Sequence, residues 1–320
     1  MRRNIVVMGG SFNPPTLAHY RLMRSAIDAL NADIGFFVPV SDAYLRRKMR
    51  SVGRPVVLSP DMRVDMLQAI CRDEPRMEVC CKEIGTVEAR TIPTLLSLRD
   101  DYPDAELYFI MGADKLNLLA HLTEKSDFLG MFRVVLFSRE QVAIEEELNK
   151  RSIFSAHRHR IVVLPQPQGT EEISSSLIRE RFLAGESCNE LLHTGVWGIF
   201  QGLRPEDFPE VIKSFKDEYA FLSNKYPCSF VWQGREYGSV DEAFKPFKSE
   251  RNIEVMEEML DAKFRQNPPL MKLLRETKQA SLIYGNNKKD SFWGVDLYTW
   301  RGENNLGKIL MKIREKEEIL

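Results

Sequence analysis

Gly9-Gly10-Ser11-Phe12-Asn13-Pro14-Pro15-Thr16-Leu17-Ala18-His19 decides how the first half of this chain folds. The apolar run Asn4-Ile5-Val6-Val7-Met8 precedes it and reads as a buried strand. Leu22, Met23, Ala26, Ile27 and Leu30 follow at helical spacing. The stretch is therefore a strand-to-helix turn carrying two glycines and two prolines. Glycine lets backbone approach a ligand closely. The helix start beyond it offers unpaired N–H groups and a positive dipole end, which suit phosphate. Thr16 and His19, three residues apart, can share one face of the first helical turn. Neither G-x-G-x-x-G nor G-x-x-x-x-G-K-[ST] is present. A lone Gly-Gly pair here would be an ordinary tight turn.

Outward from that turn, strand and helix signals alternate. Ile34-Gly35-Phe36-Phe37-Val38-Pro39 reads as a second buried strand, followed by Val40-Ser41-Asp42-Ala43-Tyr44 and the basic Arg46, Arg47 and Lys48. Ser59-Pro60-Asp61 is a helix start, with an N-cap serine, a proline at N1 and an early acid. Val64, Met66, Leu67, Ile70 and Cys71 supply its expected buried side. Met77 to Cys81 reads as a short strand, and Thr91-Ile92-Pro93-Thr94-Leu95 opens another helix. Ala105 to Met111 is a third strong strand, with Gly112-Ala113-Asp114 at its carboxyl end. Arg133 to Ser138 and Arg160 to Leu164 add two more. This alternation predicts a doubly wound α/β sheet, whose ligands gather at the carboxyl edge of the strands. Glu172-Ile173-Ser174-Ser175-Ser176-Leu177-Ile178-Arg179 then sets hydroxyls and free N–H groups at a helix start, with an arginine one turn on. The serines can simply cap that helix, and the same grouping suits a polyphosphate.

Composition narrows the class. At 320 residues the chain has room for one large or two medium domains. A hydrophobic fraction of 43% and a charged fraction of 28% are those of a globular protein. A net charge of −1 argues against a dedicated nucleic-acid binder. The five cysteines form no C-x-x-C and have no histidine at zinc-finger spacing, so reduced thiols and no bound metal are expected. No run approaches the length of a membrane span, and the start is too short for a signal peptide, so a cytoplasmic protein is expected.

The form G-S-F-N-P-x-T-x-x-H resembles the first signature of the nucleotidylyltransferase superfamily, and in particular of the nicotinamide or nicotinate mononucleotide adenylyltransferases. The Ser174–Arg179 string resembles their second signature, I-S-S-T-x-I-R, with Ser176 in place of threonine. Pro39-Val40-Ser41-Asp42-Ala43-Tyr44, the Thr91 segment and Gly112-Ala113-Asp114 also have counterparts there. The resemblance implies a Rossmann-like domain that transfers AMP from ATP to a pyridine mononucleotide, releasing pyrophosphate. It implies catalytic roles for His19 and Arg179. It implies nucleotide or phosphate contacts for Gly9, Gly10, Ser11, Phe12, Asn13, Thr16, Arg46, Arg47, Thr91, Gly112, Asp114, Ser174 and Ser175. Mg²⁺ would travel with the phosphates. The family's pyridine-stacking tryptophans are absent: Cys81-Lys82-Glu83 and His121-Leu122 stand at their places. Lys82 is a candidate for pairing with a nicotinate carboxylate.

Gln201-Gly202-Leu203-Arg204-Pro205-Glu206-Asp207 marks a linker, which sets expected domains at 1–202 and 207–320. The second half is rich in aromatics. Phe221-Leu222-Ser223-Asn224-Lys225-Tyr226-Pro227, Ser239-Val240-Asp241, Asp290-Ser291-Phe292-Trp293-Gly294 and Gly302-Glu303-Asn304-Asn305-Leu306-Gly307 resemble the motifs of the NADAR family. That resemblance implies a mostly α-helical domain that cleaves the N-glycosidic bond of a ribosylated or ADP-ribosylated substrate. A carboxylate would steady the positive charge building on the ribose. Asp241 stands where the family has glutamate, and Glu242 follows. Trp293 is a candidate to stack on base or ribose, or a core residue. Asn304 is a candidate contact. Two other readings stay open: a pantetheine-phosphate-type adenylyltransferase in the first half, and a non-catalytic NAD or ADP-ribose sensor in the second. Oligomeric state is left open by the sequence.

Overall fold

The computed structural model describes residues 3–49, 55–87, 91–138, 141–286 and 290–316. The chain divides into two compact units, Met1–Leu45 with Val56–Pro205 and Arg46–Pro55 with Glu206–Leu320. Among the described residues no helix is long and apolar enough to cross a membrane.

The first unit is built on a six-stranded sheet: β1 (Arg3–Gly10), β2 (Ile34–Pro39), β3 (Met77–Val79), β4 (Ala105–Gly112), β5 (Arg133–Ser138) and β6 (Ile161–Pro165). The order is β3-β2-β1-β4-β5-β6, and every pairing is parallel. Helices α1 (Leu17–Ala29), α2 (Asp42–Lys48), α3 (Pro60–Cys71), α4 (Thr91–Asp101), α5 (Leu116–Ser126) and α6 (Phe128–Met131) connect the strands as far as β5. Then come α7 (Gln141–Lys150), α8 (Ser152–Ala156), α9 (Ser175–Ala184) and α10 (Thr194–Phe200). This is the Rossmann-like doubly wound sheet that the alternation predicts.

Burial explains the apolar runs. Ile5 and Val7 join a core with Leu95, Leu98, Leu107 and Phe128. Val6 and Met8 are equally buried and by strand alternation face the other layer. A strand covered on both sides loses the polar-apolar alternation of a half-exposed one. On α1 the buried residues are Ala18, Met23, Ala26 and Ile27. Gly35 of β2 lets that helix sit close, since a Cβ there would come within 2.6 Å of Met23 Sδ and 2.7 Å of Ile27 Cδ1. Each such apolar side chain contributes about 1.5–3 kcal/mol on burial.

Ser59-Pro60-Asp61 opens α3, with the Ser59 hydroxyl accepting from the Met62 amide. The buried side of α3 differs from the sequence expectation. Val64 and Cys71 are half-buried, and Arg63 lies fully buried beside Met66, Leu67, Ala69 and Ile70.

The strand order turns back on itself between β1 and β4. Val7 pairs with Phe109, so three residues on, Gly10 and Gly112 end at the same level. Neighbouring strands whose connections leave to opposite sides open a crevice above their carboxyl ends. Both glycine-bearing strand ends of the sequence reading stand there.

The second unit has little sheet. Its strands β7 (Val211–Ile212), β8 (Phe230–Trp232), β9 (Arg235–Tyr237), β10 (Ser281–Leu282), β11 (Gly285–Asn286) and β12 (Val295–Asp296) form only two-stranded pairs. Helices α11 (Val240–Phe244), α12 (Ile253–Gln266), α13 (Pro268–Glu276) and α14 (Asn305–Glu315) enclose the core. Leu222, Phe230, Phe244, Met259, Leu260, Phe264, Leu282, Leu306 and Ile313 fill it.

Candidate active site

The turn after β1 is fixed from within. Phe12 takes φ 44°, a left-handed conformation that costs an L-residue about 1–2 kcal/mol. Burial of its ring against Phe37 offsets this, with the ring centroids 5.6 Å apart. That ring also explains Gly10: a Cβ at Gly10 would lie 3.0 Å from Phe12 Cζ. The glycine therefore makes room for the protein's own phenylalanine, where the sequence reading assigned the room to a ligand. Gly9 remains exposed at the strand end.

Asn13 is fully buried, and its amide is spent inside the fold. Nδ2 donates to the Val56 carbonyl at 2.7 Å, and Oδ1 accepts from the Leu58 amide at 2.9 Å. Thr16 caps α1, its hydroxyl accepting from the His19 amide at 3.3 Å. His19 closes a capping box in the place where glutamate usually does so. The Thr16 amide donates to His19 Nδ1 at 2.9 Å. An Nδ1 that accepts assigns the ring proton to Nε2. The ring stands edge-on to Phe12, 5.0 Å between centroids. Thr16 is thus a positioning residue for His19.

The second signature meets this turn across most of the first unit's sequence. Ser174 caps α9, accepting from the Leu177 amide at 3.1 Å. The Ser175 hydroxyl donates to the Pro14 carbonyl at 2.8 Å. Arg179 Nη1 donates to the Asn13 carbonyl at 2.8 Å, and Nη2 to the Ser176 hydroxyl at 3.0 Å. Burial draws the Arg179 guanidinium below its ordinary pKa, with Glu180 opposing. Two carbonyls of one Pro-Pro turn are thereby tied to the start of one helix. His19 and Arg179 act on the same turn, and the α1 and α9 helix starts converge on it.

The remaining expected contacts are placed less closely. Gly112 ends β4, and Asp114 follows in an exposed position, paired with Lys115 at 2.6 Å. Thr91 begins α4. Arg46 and Arg47 stand in the last turn of α2, in the segment grouped with the second unit. Lys82 is already engaged, 2.9 Å from Asp101 and 2.9 Å from the Ser97 hydroxyl. Its suggested pairing with a nicotinate carboxylate thus competes with a carboxylate of the protein.

In the second unit Ser239 caps α11, its hydroxyl accepting from the Glu242 amide at 3.2 Å. The Glu242 carboxylate accepts from the Gly238 amide at 2.9 Å. Asp241 keeps its carboxylate partly exposed, 3.3 Å from Lys248 Nζ, and its amide donates to the Asn224 carbonyl at 2.8 Å. Tyr284 is raised above its ordinary pKa by burial, with the charges of Asp290 and Asp241 adding to the shift. Trp293 packs edge-on against Phe244 and Phe292 at the rim of the core. Asn304 takes a left-handed conformation before α14. It donates to the Leu282 carbonyl and accepts from the Tyr284 amide, a joint that consumes its side chain.

Comparison with known proteins finds two families in the chain. The cytidylyltransferase-like family model matches residues 7–181, and the NADAR domain model matches residues 243–317. A Shouchella clausii protein named "Probable nicotinate-nucleotide adenylyltransferase" is 30% identical over 58% of this chain and 86% of its own length. A Staphylococcus saprophyticus protein of the same name is 27% identical over 61% of this chain and 94% of its own. A solved nicotinic acid mononucleotide adenylyltransferase of Plasmodium falciparum, complexed with NaAD, aligns with 18% identity and a TM-score of 0.48. It covers 64% of this chain and 98% of that one, too distant a likeness to bear on the reading.

Proposed function

This chain belongs to the cytidylyltransferase-like family and carries a NADAR domain, and from that premise we propose that its first unit is a nicotinate-nucleotide adenylyltransferase. It transfers AMP from ATP to nicotinate mononucleotide, or to its nicotinamide counterpart, giving the dinucleotide and pyrophosphate. The observation that supports this most is the tie of Ser175 and Arg179 to the Asn13 and Pro14 carbonyls. Through it, one turn carries a histidine donor, an arginine and two helix starts.

The nucleophile is an oxygen of the mononucleotide 5′-phosphate, whose second pKa of about 6 leaves it ionised at neutral pH. It attacks the α-phosphorus of ATP in line, and the bond from that phosphorus to the β-bridging oxygen breaks. No proton has to be removed, so the chain needs no general base. Its work is positioning and charge neutralisation. His19 Nε2–H donates to the phosphates being parted. Arg179 and the Ser174–Ser175 helix start hold the outer phosphates. Gly9, Ser11 and the Phe12 amide line the turn, and Thr91, Gly112 and Asp114 border the acceptor. Mg²⁺, carried on the triphosphate, would neutralise part of its charge.

In the second unit, we propose cleavage of an N-glycosidic bond in a ribosylated or ADP-ribosylated substrate. Asp241 is the carboxylate facing the ribose, because Glu242 is committed to the start of α11. That commitment leaves a single acid, which also supports the rival reading, a domain that binds such a ligand without cutting it.

The test is pyrophosphate release from ATP with nicotinate mononucleotide, nicotinamide mononucleotide or phosphopantetheine as acceptor. The proposal expects release with the first or the second. Release with phosphopantetheine alone would overturn it. For the second unit, free base released from a ribosylated base supports cleavage, and binding without release makes it a sensor.

A further inference from the structure

Arg63 is fully buried on α3 beneath the turn that follows β1. Its Nη1 donates to the Ser11 carbonyl at 3.1 Å and to the Val40 carbonyl at 2.9 Å. Val40 in turn donates its amide to the Gly10 carbonyl at 3.0 Å. One nitrogen therefore ties the exit of β2 to the exit of β1. The other donor atoms, Nε and Nη2, are buried and have no hydrogen-bond partner among the described residues. Burial acts against the charge, and the Asp42 carboxylate partly supports it. A structural tie alone would not require a guanidinium. A neutral amide could donate to both carbonyls without the desolvation penalty of a buried ion.

Two consequences follow from this placement. The Ser11–Phe12 peptide is trans, so its C=O and N–H point in opposite directions. With the Ser11 carbonyl held toward Arg63, the Phe12 amide points away from Arg63. That amide finds no partner among the described residues. The second consequence is electrostatic. A positive charge with two unmet donors stands under the turn in a low-dielectric setting, where it attracts an anion seated above.

We propose that Arg63 is a positioning residue for the triphosphate: it aims the Phe12 amide at a phosphate oxygen and places a buried positive charge, partly offset by Asp42, beneath it. The proposal rests on the adenylyltransferase reading of the first unit. It adds a residue that touches neither substrate and acts through the turn.

The test uses the full chain with Arg63→Met and Arg63→Lys. ATP affinity is measured by calorimetry with Mg²⁺ and no acceptor, KM for each substrate by pyrophosphate release, and folding by circular dichroism melts. At effective dielectric constants near those of protein sites, loss of one nearby charge weakens a bound polyanion roughly thirty-fold. The expected result is that Arg63→Met, at a temperature where it is folded, raises the ATP Kd and KM by about that factor. KM for the mononucleotide should move less than about threefold, and Arg63→Lys should recover about half of the loss on a logarithmic scale. An ATP Kd within threefold of wild type in a folded Arg63→Met, or equal rises in both KM values, overturns the proposal. If Arg63→Met does not fold, Arg63→Lys decides: an ATP Kd raised several-fold supports the role, and an unchanged one overturns it. A wild-type chain that binds no ATP overturns the adenylyltransferase reading and this proposal together. A wild type that binds ATP no better than folded Arg63→Met overturns this proposal alone.

Discussion

Replacing His19 with alanine separates its capping role in the fold from its proposed role in the reaction. Its Nδ1 accepts the Thr16 amide at 2.9 Å, and its ring packs edge-on against Phe12. Loss of the reciprocal cap costs about 0.5–2 kcal/mol, and loss of the ring pair about 0.5–1.5 kcal/mol. The combined destabilisation is about 2 kcal/mol, a shift of roughly 4–8 °C in the melting of a domain this size. In the proposed reaction the Nε2–H is the donor that meets the charge developing as the phosphates part. Removing one such donor lowers kcat by about 10²–10³. At saturating ATP and nicotinate mononucleotide, well below the melting range, His19→Ala should therefore be nearly fully folded and about 10²–10³ slower. His19→Gln sharpens the comparison. A glutamine at this helical position can accept the same amide and still present an N–H, so it should melt within roughly 2–4 °C of wild type and lose only about tenfold in kcat. The assay is continuous pyrophosphate release beside a thermal melt of the same preparation. A His19→Ala protein that melts earlier but turns over within threefold of wild type would refute the reasoning and leave His19 as a cap alone.

Other consequences can be checked separately. Asp241→Asn should abolish any base release by the second unit, whereas Glu242→Gln should lower its melting temperature by a few degrees and spare most of the release; the reverse pattern would reassign the acid. Burial draws the Lys263 amine from 10.5 down to about 8, with Cys228 opposing, while its Nζ donates to the Phe221 and Ser223 carbonyls. Between those values the unfolded chain holds the proton and the folded one releases it, so stability rises with pH. The unfolding free energy of wild type minus that of Lys263→Met should grow by about 3 kcal/mol between pH 8 and 10.5. A flat or falling difference would contradict the burial argument.

Much of the first unit is legible in sequence, because its strands are continuous apolar runs and its helix starts carry caps. Ile5 to Met8 and Ser59-Pro60-Asp61 read correctly for that reason. The order of the two signatures is also legible. Their meeting is not, since Arg179 reaches Asn13 across 166 positions. What sequence leaves undecided is the use of a residue that satisfies two patterns. Gly10 could face a ligand or a phenylalanine ring, and it faces the ring. Asn13 belongs to the signature, and its amide holds Val56 and Leu58. Glu242 is both a carboxylate beside Asp241 and an acceptor for the chain entering α11, and the Gly238 amide engages it. Arg63 escaped because a charged residue on the inner face breaks the apolar period that identifies that face. The one available signal was the mismatch itself, an arginine where the α3 pattern calls for an apolar side chain.

In the proposed reaction His19 and Arg179 serve a single triphosphate. A double-mutant cycle on kcat/KM for ATP, with His19→Ala, Arg179→Met and the double variant, tests it most directly. Groups that act on one reacting unit are strongly non-additive. The account predicts a double variant only slightly slower than the worse single one. A double variant whose loss equals the product of the two single losses would contradict it.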